Sequence, residues 1–176
     1  NSRVIVMSEE QNHIISAIVE HKPGVLYTVA NLFRRRGFNI ESISVGPIEQ
    51  SDLARMTITV KGDERTIEQV VKQLNKLVDV IKVSRLDPTS IVTRELALIK
   101  VRALDTKVRS DVINYADIFR ARVVDVSSES LMVEITGTSD KIDAFLDLMK
   151  PFGVKEVART GITALSRGAK SVRIEE

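Results

Sequence analysis

The sequence predicts an α+β fold of βαββαβ order, run through twice in tandem, and three observations carry that prediction. Apolar residues recur with a period of two in some stretches and with a helical period in others, and the stretches alternate in that order. After Asp87-Pro88-Thr89-Ser90 the same order begins again. Each half then offers two helical stripes to cover one face of a four-stranded antiparallel sheet, the ferredoxin-like arrangement.

Residues 1–12 are polar and aperiodic apart from Val4-Ile5-Val6, and they read as a lead-in to a first domain over residues 13–86. His13 to Glu20 is apolar on both alternations, as a central strand would be. It runs into His21-Lys22-Pro23-Gly24, and a helix pattern opens at once: Leu26, Val29, Ala30 and Phe33 share one stripe. Arg34, Arg35 and Arg36 stand in its last turn, facing the negative end of the helix dipole, and Gly37 ends it. From Phe38 to Gly46 the strand phase slips, with Phe38 and Ile40 on one alternation and Ile43 and Val45 on the other, which predicts a bulge near Glu41-Ser42. After a polar loop from Pro47 to Asp52, residues Ala54, Met56, Ile58 and Val60 alternate with Arg55, Thr57, Thr59 and Lys61, so one sheet face is expected to be wet. Ile67, Val70, Val71, Leu74 and Leu77 mark the second helix, and Val80 to Leu86 the fourth strand.

Residues 87–94 read as a linker. A second domain over 95–160 follows, with a strand from Glu95 to Ala103, a helix from Lys107 to Phe119, and a hairpin of Ala121 to Val126 with Leu131 to Thr136. A helix from Ser139 to Met149 and a strand from Val154 to Arg159 complete it. Residues 161–176 are a tail in which only a short turn or helix around Ala164-Leu165-Ser166 is expected.

Composition narrows the function. Hydrophobic residues make up 43% of the 176 and charged residues 28%, the mix of a globular protein with a core. A net charge of +2 argues for neither nucleic acid nor a membrane surface. Without cysteine there is no thiolate metal site or cysteine nucleophile, and two histidines make no metal cluster. No apolar run approaches the roughly 20 residues of a membrane span, and no signal-peptide-like segment heads the sequence, so a cytoplasmic protein is expected. The eight glycines fall singly at turns, which leaves no phosphate-loop or dinucleotide signature. No nucleophile–base set emerges, so the chain is not expected to be an enzyme. RNA recognition on this fold stacks bases on sheet aromatics, and Arg55, Thr57 and Thr59 supply none. His13 reads as a strand-start residue, while His21 is either a turn residue or a ligand contact.

In a sheet of order 4-1-3-2 the second strand lies on an edge. Asn39 to Val45 carries no proline, no lysine and only Glu41 as a charge to guard that edge, which predicts pairing with the same strand of a second copy. A homodimer would then bring Asn39 of one chain near the Gly24 turn of the other.

Four runs go beyond fold class: Lys22-Pro23-Gly24-Val25-Leu26, the stretch Leu32 to Ser42 ending in Arg35-Arg36-Gly37-Phe38-Asn39-Ile40-Glu41-Ser42, Arg55-Met56-Thr57-Ile58, and Gln73-Leu74-Asn75-Lys76-Leu77-Val78-Asp79-Val80. With Arg94-Glu95-Leu96, Gly137-Thr138-Ser139 and Ser166-Arg167-Gly168 in the second half, they resemble the regulatory (small) subunits of acetohydroxyacid synthase, or acetolactate synthase. The likeness runs from about residue 12 to 168, and it makes the first domain an ACT domain, the amino-acid-sensing variant of the fold.

The resemblance implies a non-catalytic chain. It would bind and activate the catalytic large subunit, which carries thiamine diphosphate, Mg and FAD, and would confer allosteric feedback inhibition by valine in branched-chain amino-acid biosynthesis. The alternative is a free-standing amino-acid-binding ACT protein. Carried onto this chain, the valine site comprises His21, Gly24, Val25 and Leu26 of one protomer with Asn39 and Ile40 of its mate. At His21 the chain departs from the family, which often has asparagine there. The amides around Gly24 to Leu26 would receive the valine carboxylate. Asn39 has both a donor and an acceptor for the zwitterion, and Leu26 with Ile40 would shelter the isopropyl group.

Overall fold

The computed structural model describes residues 11–172 and forms two compact units, one of the residues up to Val92 with those from Ala164 onward, the other Thr93–Thr163.

The first unit is built from β1 (Gln11–Glu20), α1 (Val25–Arg36), β2 (Asn39–Pro47), β3 (Leu53–Gly62), α2 (Glu64–Asn75) and β4 (Val80–Arg85). Its strands pair antiparallel in the order β2-β3-β1-β4, so β2 is an edge, as predicted. Ile15, Ala17 and Val19 of β1 and Met56, Ile58 and Val60 of β3 pack beneath Val29, Leu32 and Phe33 of α1 and Ile67, Val70 and Leu74 of α2. Both boundaries of α1 are glycines in the left-handed region, Gly24 at φ 88° and Gly37 at φ 66°, a conformation glycine adopts without a Cβ clash. The amides of Gly37 and Phe38 donate to Arg34 and Phe33 carbonyls and close the helix, and the Phe38 ring meets Phe33 edge-on at 5.9 Å. The β2–β3 register shifts between Ile40 and Ser42, where the phase slip predicted a bulge. His13 starts the strand as a structural residue: its Nε2 lies 3.2 Å from the Gly62 carbonyl and its Nδ1 3.1 Å from the Arg85 guanidinium.

The wet face expected opposite the helices is not wet at its centre. Ser16, Thr57 and Thr59 are buried there, at 0%, 1% and 3% exposure, beside Ile18. The polar groups are satisfied in place: Arg55 Nη1 donates to Ser16 Oγ at 2.8 Å and Ser42 Oγ to Thr59 Oγ1 at 3.2 Å. Alternation identifies which residues share a face. It does not say what covers that face, and small hydroxyl side chains tolerate cover once bonded.

The second unit contains β5 (Ile91–Arg102), α3 (Thr106–Ile118), β6 (Arg122–Val126), β7 (Ser130–Gly137), α4 (Ser139–Met149), a 3₁₀ turn over Lys150–Phe152, and β8 (Val154–Arg159). Its order, β6-β7-β5-β8, repeats that of the first. Asp105 and Thr138 cap α3 and α4 by accepting from the amides of Val108 and Lys141. Val112, Phe145 and Met149 pack on Ala97, Ile99, Val101 and Val133. Glu95, only 7% exposed, is neutralised by Arg159 at 2.9 Å, and Arg159 reaches Asp143 at 2.6 Å with its other nitrogen.

Three boundaries differ from the sequence reading. Gln11 and Asn12, read as lead-in, already pair with Gly62 and Lys61 in β1; residues 1–10 lie outside the described residues. The linker expected over 87–94 gives way to β5 at Ile91, because the Asp87 carboxylate turns the chain sharply by accepting from Thr89. In the expected tail of 161–176, Thr163–Ser166 forms no helix but a further strand, β9, paired with β5, and the Arg167 amide donates to the Ser90 carbonyl. That pairing spans some seventy positions of sequence, beyond the reach of any local pattern. No helix among the described residues is long and apolar enough to cross a membrane.

Candidate functional site

The turn between β1 and α1 is held from both sides. The Glu20 amide donates to the Asp79 carbonyl at 2.9 Å, and the His21 amide to the Asp52 carbonyl at 2.7 Å. Lys22 bridges Glu20 at 2.7 Å and Asp79 at 2.8 Å, and hydrogen bonds to Asp79 and then Glu20 hold its ammonium above the usual lysine range. Pro23 then fixes one dihedral, and Gly24 at φ 88° aims the chain into α1.

No side chain caps that helix. The Thr28 amide and hydroxyl both return to the Gly24 carbonyl at 3.0 Å, so the amides before Thr28 begin the helix without an intrahelical acceptor. A Cβ built on Gly24 would meet nothing within 4 Å, so the space beside the turn at Gly24 is open. With the positive end of the dipole behind them, the amides before Thr28 suit a small carboxylate.

The residues expected to form the site fall into two groups. His21, Gly24, Val25 and Leu26 come together at this corner. His21 and Gly24 are exposed, and the imidazole makes no hydrogen bond among the described residues. The Val25 side chain is buried in the core, while Leu26 is 51% exposed, so the inward stripe of α1 is Val25, Val29, Leu32 and Phe33, and Leu26 and Ala30 of the expected stripe lie outside it. Asn39, exposed, and Ile40, half-buried against the core, begin β2 at the other end of the sheet. The pairings fix this separation. Asn39 is opposite Lys61 of β3, whereas the corner follows Glu20, opposite Leu53, beside the Ala54–Pro47 pair. From Ala54 to Lys61 at roughly 3.3 Å per residue is about 23 Å. Within one chain the two groups cannot enclose one small molecule.

Asp52 and Asp79, whose carbonyls and carboxylate pin the corner, were not anticipated. Their sequence signs are slight: Asp79 stands next to the end of the run from Gln73 to Val80, and Asp52 ends the polar loop that begins at Pro47.

Two ferredoxin-like units in tandem, the first with an uncapped helix start at a Pro-Gly corner, define a protein of the ACT class. A model described as an AHAS small subunit-like ACT domain matches residues 15–82, and one described as the small subunit of acetolactate synthase matches 94–168. A probable acetolactate synthase small subunit from Methanothermobacter thermautotrophicus is 58% identical over 168 residues, covering 96% of this chain and all of that protein. The acetolactate synthase small subunit of Mycolicibacterium smegmatis is 50% identical over 91% of this chain and 94% of its own length. The crystal structure of the small subunit from Thermotoga maritima superposes with a TM-score of 0.84 at 48% identity, covering 90% of this chain and 98% of that one. The chain belongs to the acetolactate synthase small subunits. It is therefore a non-catalytic regulatory subunit, whose partner is the catalytic large subunit.

Proposed function

We propose that this chain acts as a valine-sensing homodimer that activates the thiamine-diphosphate-dependent catalytic subunit and makes it subject to feedback inhibition. The observation that supports this reading is the separation of the two half-sites. β1 and β2 each run antiparallel to β3 and so run in the same direction, which leaves the Gly24 corner and Asn39 at opposite ends. Antiparallel pairing of two β2 edges about an axis near Ile43 sets Asn39 of one copy against Pro47 of the other, beside the other's Gly24 corner. The half-exposed margin of Ile40, Ile43 and Val45 next to that edge favours such a join.

In this arrangement the amides from Val25 onward take the valine carboxylate, the mate's Asn39 meets the ammonium, and Leu26 with the mate's Ile40 covers the isopropyl group. Ligand then tightens the seam. It regulates by favouring one arrangement of the dimer over another, and coupling of about 1–3 kcal/mol is typical.

Mixing two variants tests the shared site. Gly24→Asp and Asn39→Ala chains should each bind valine poorly alone. Co-refolded, their heterodimer has one site with both lesions and one with neither, so calorimetry should recover half the wild-type stoichiometry for the purified heterodimer and about a quarter for the unfractionated equimolar mixture. A mixture that binds no better than its components would refute a site divided between protomers.

A further inference from the structure

After β9 the chain stays with the first unit. The Arg167 amide donates to the Ser90 carbonyl at 2.8 Å, and Gly168 at φ 70° then turns the backbone through the left-handed region that suits glycine. Residues 170–172 come back beside β4 and close a cavity of about 330 Å³, near the lower bound of small-molecule sites. Its two walls are far apart in sequence. Lys82 and Ser84 of β4 form one; they lie opposite Ile18 and Ser16 of β1, on the sheet face away from the helices. Ser166, Lys170 and Ser171 form the other. Leu86, 6% exposed with its amide bonded to the Ile14 carbonyl at 3.0 Å, adds apolar surface.

Arg85 lines the cavity as well, with its guanidinium held by Glu64 at 2.6 and 2.7 Å and by His13 Nδ1 at 3.1 Å. No carboxylate lines it among the described residues. Asp87, which feels the Lys170 charge after its own bonds to Thr89, accepts from the Thr89 amide and hydroxyl at 2.9 and 2.7 Å. Exposed lysines stand elsewhere in the unit, Lys72 and Lys76 among them. What sets this group apart is enclosure: ammonium and hydroxyl groups alternate on two walls of one cavity.

We propose that this cavity binds a phosphate group, as the free ion or as a small monoester. A tetrahedral dianion carries acceptor oxygens on every side and can take hydrogen bonds from both walls at once, whereas a carboxylate has two oxygens on one side. Phosphate bound here would tie the segment after Gly168 to β4. The site is separate from the Gly24 corner and does not depend on the valine reading.

Calorimetric titration of the full-length chain tests this, with inorganic phosphate and with glycerol 3-phosphate at fixed ionic strength. At least one should bind with a single site per chain and, at saturation, raise the melting temperature by a few degrees. Lys170→Gln, on an exposed segment, should weaken binding by about tenfold or more, since it removes a charge-assisted hydrogen bond. Adding Lys82→Gln should abolish binding, while valine titration and melting without phosphate match wild type. Where the double variant melts lower, the single one decides. Tighter binding of the ester would show that the cavity takes a phosphate monoester, and equal or tighter binding of the ion that it takes phosphate itself. No binding of either at millimolar concentration, or equal affinity in wild type and Lys170→Gln, would overturn the proposal. So would displacement of phosphate by equimolar acetate, because the cavity would then hold any anion.

Discussion

Gly24 is the position where a single substitution separates backbone strain from ligand electrostatics. Its φ of 88° lies where any side chain is strained, yet a Cβ there has open space around it. Gly24→Ala should therefore cost only the conformational term of about 1–2 kcal/mol, offset by about 0.4–1 kcal/mol from a stiffer unfolded chain. The net destabilisation should lower the melting temperature by no more than a few degrees. Gly24→Asp carries the same strain and adds a carboxylate at the first turn, where the ligand's own carboxylate is proposed to sit. Two unit charges about 4 Å apart repel by about 1 kcal/mol in water and about 4 kcal/mol at the effective dielectric of a protein surface. Valine affinity should thus fall about fivefold to several-hundredfold in Gly24→Asp relative to Gly24→Ala, while the two variants melt within a few degrees of one another. Calorimetric titration of both, with differential scanning fluorimetry alongside, reads both quantities. Equal valine affinity in the two variants would refute placement of the carboxylate at this corner.

Other expectations follow from the same geometry. Phe145→Ala removes a fully buried ring that meets Phe119 at 5.3 Å and should destabilise the second unit by about 3–5 kcal/mol, read by chemical denaturation. Arg159→Ala strands the buried Glu95 carboxylate; adding Glu95→Gln should recover part of the loss, and a double mutant no more stable than the single would argue against the pair. Asp63 and Glu64 both have carboxyls held below their usual values near 3.8 and 4.5, the first by hydrogen bonds from Thr66 and the second by Arg85. A depressed folded-state pKa contributes stability above the unfolded value that is lost as pH falls through the folded one. Stability of the first unit should accordingly drop below about pH 4.5, and Asp63→Asn with Glu64→Gln should flatten that slope in pH-dependent denaturation.

What the sequence revealed and what it withheld divide along the range of the interactions. The slipped phase of Ile40 and Ile43 announced the bulge, and Gly37 announced the helix stop, because each is decided within a turn of chain. The corner's shape was partly legible in Pro23-Gly24. Its rigidity was not, since Asp52 and Asp79 arrive from distant loops. The burial of Thr57 and Thr59 was hidden for a related reason: a hydroxyl under cover and a hydroxyl in water look alike in sequence. β9 was missed because Ala164, Leu165 and Ser166 carry no strand pattern of their own and take their form from β5.

The common direction of β1 and β2 has a consequence for dosage. If each receptor needs the start of one copy's second strand and the corner of another's first helix, then the number of working receptors rises with the square of subunit concentration while dimers are scarce. Dilution would silence the sensor before it unfolded a single helix, and a cell could set its sensitivity to effector by how much of this chain it makes.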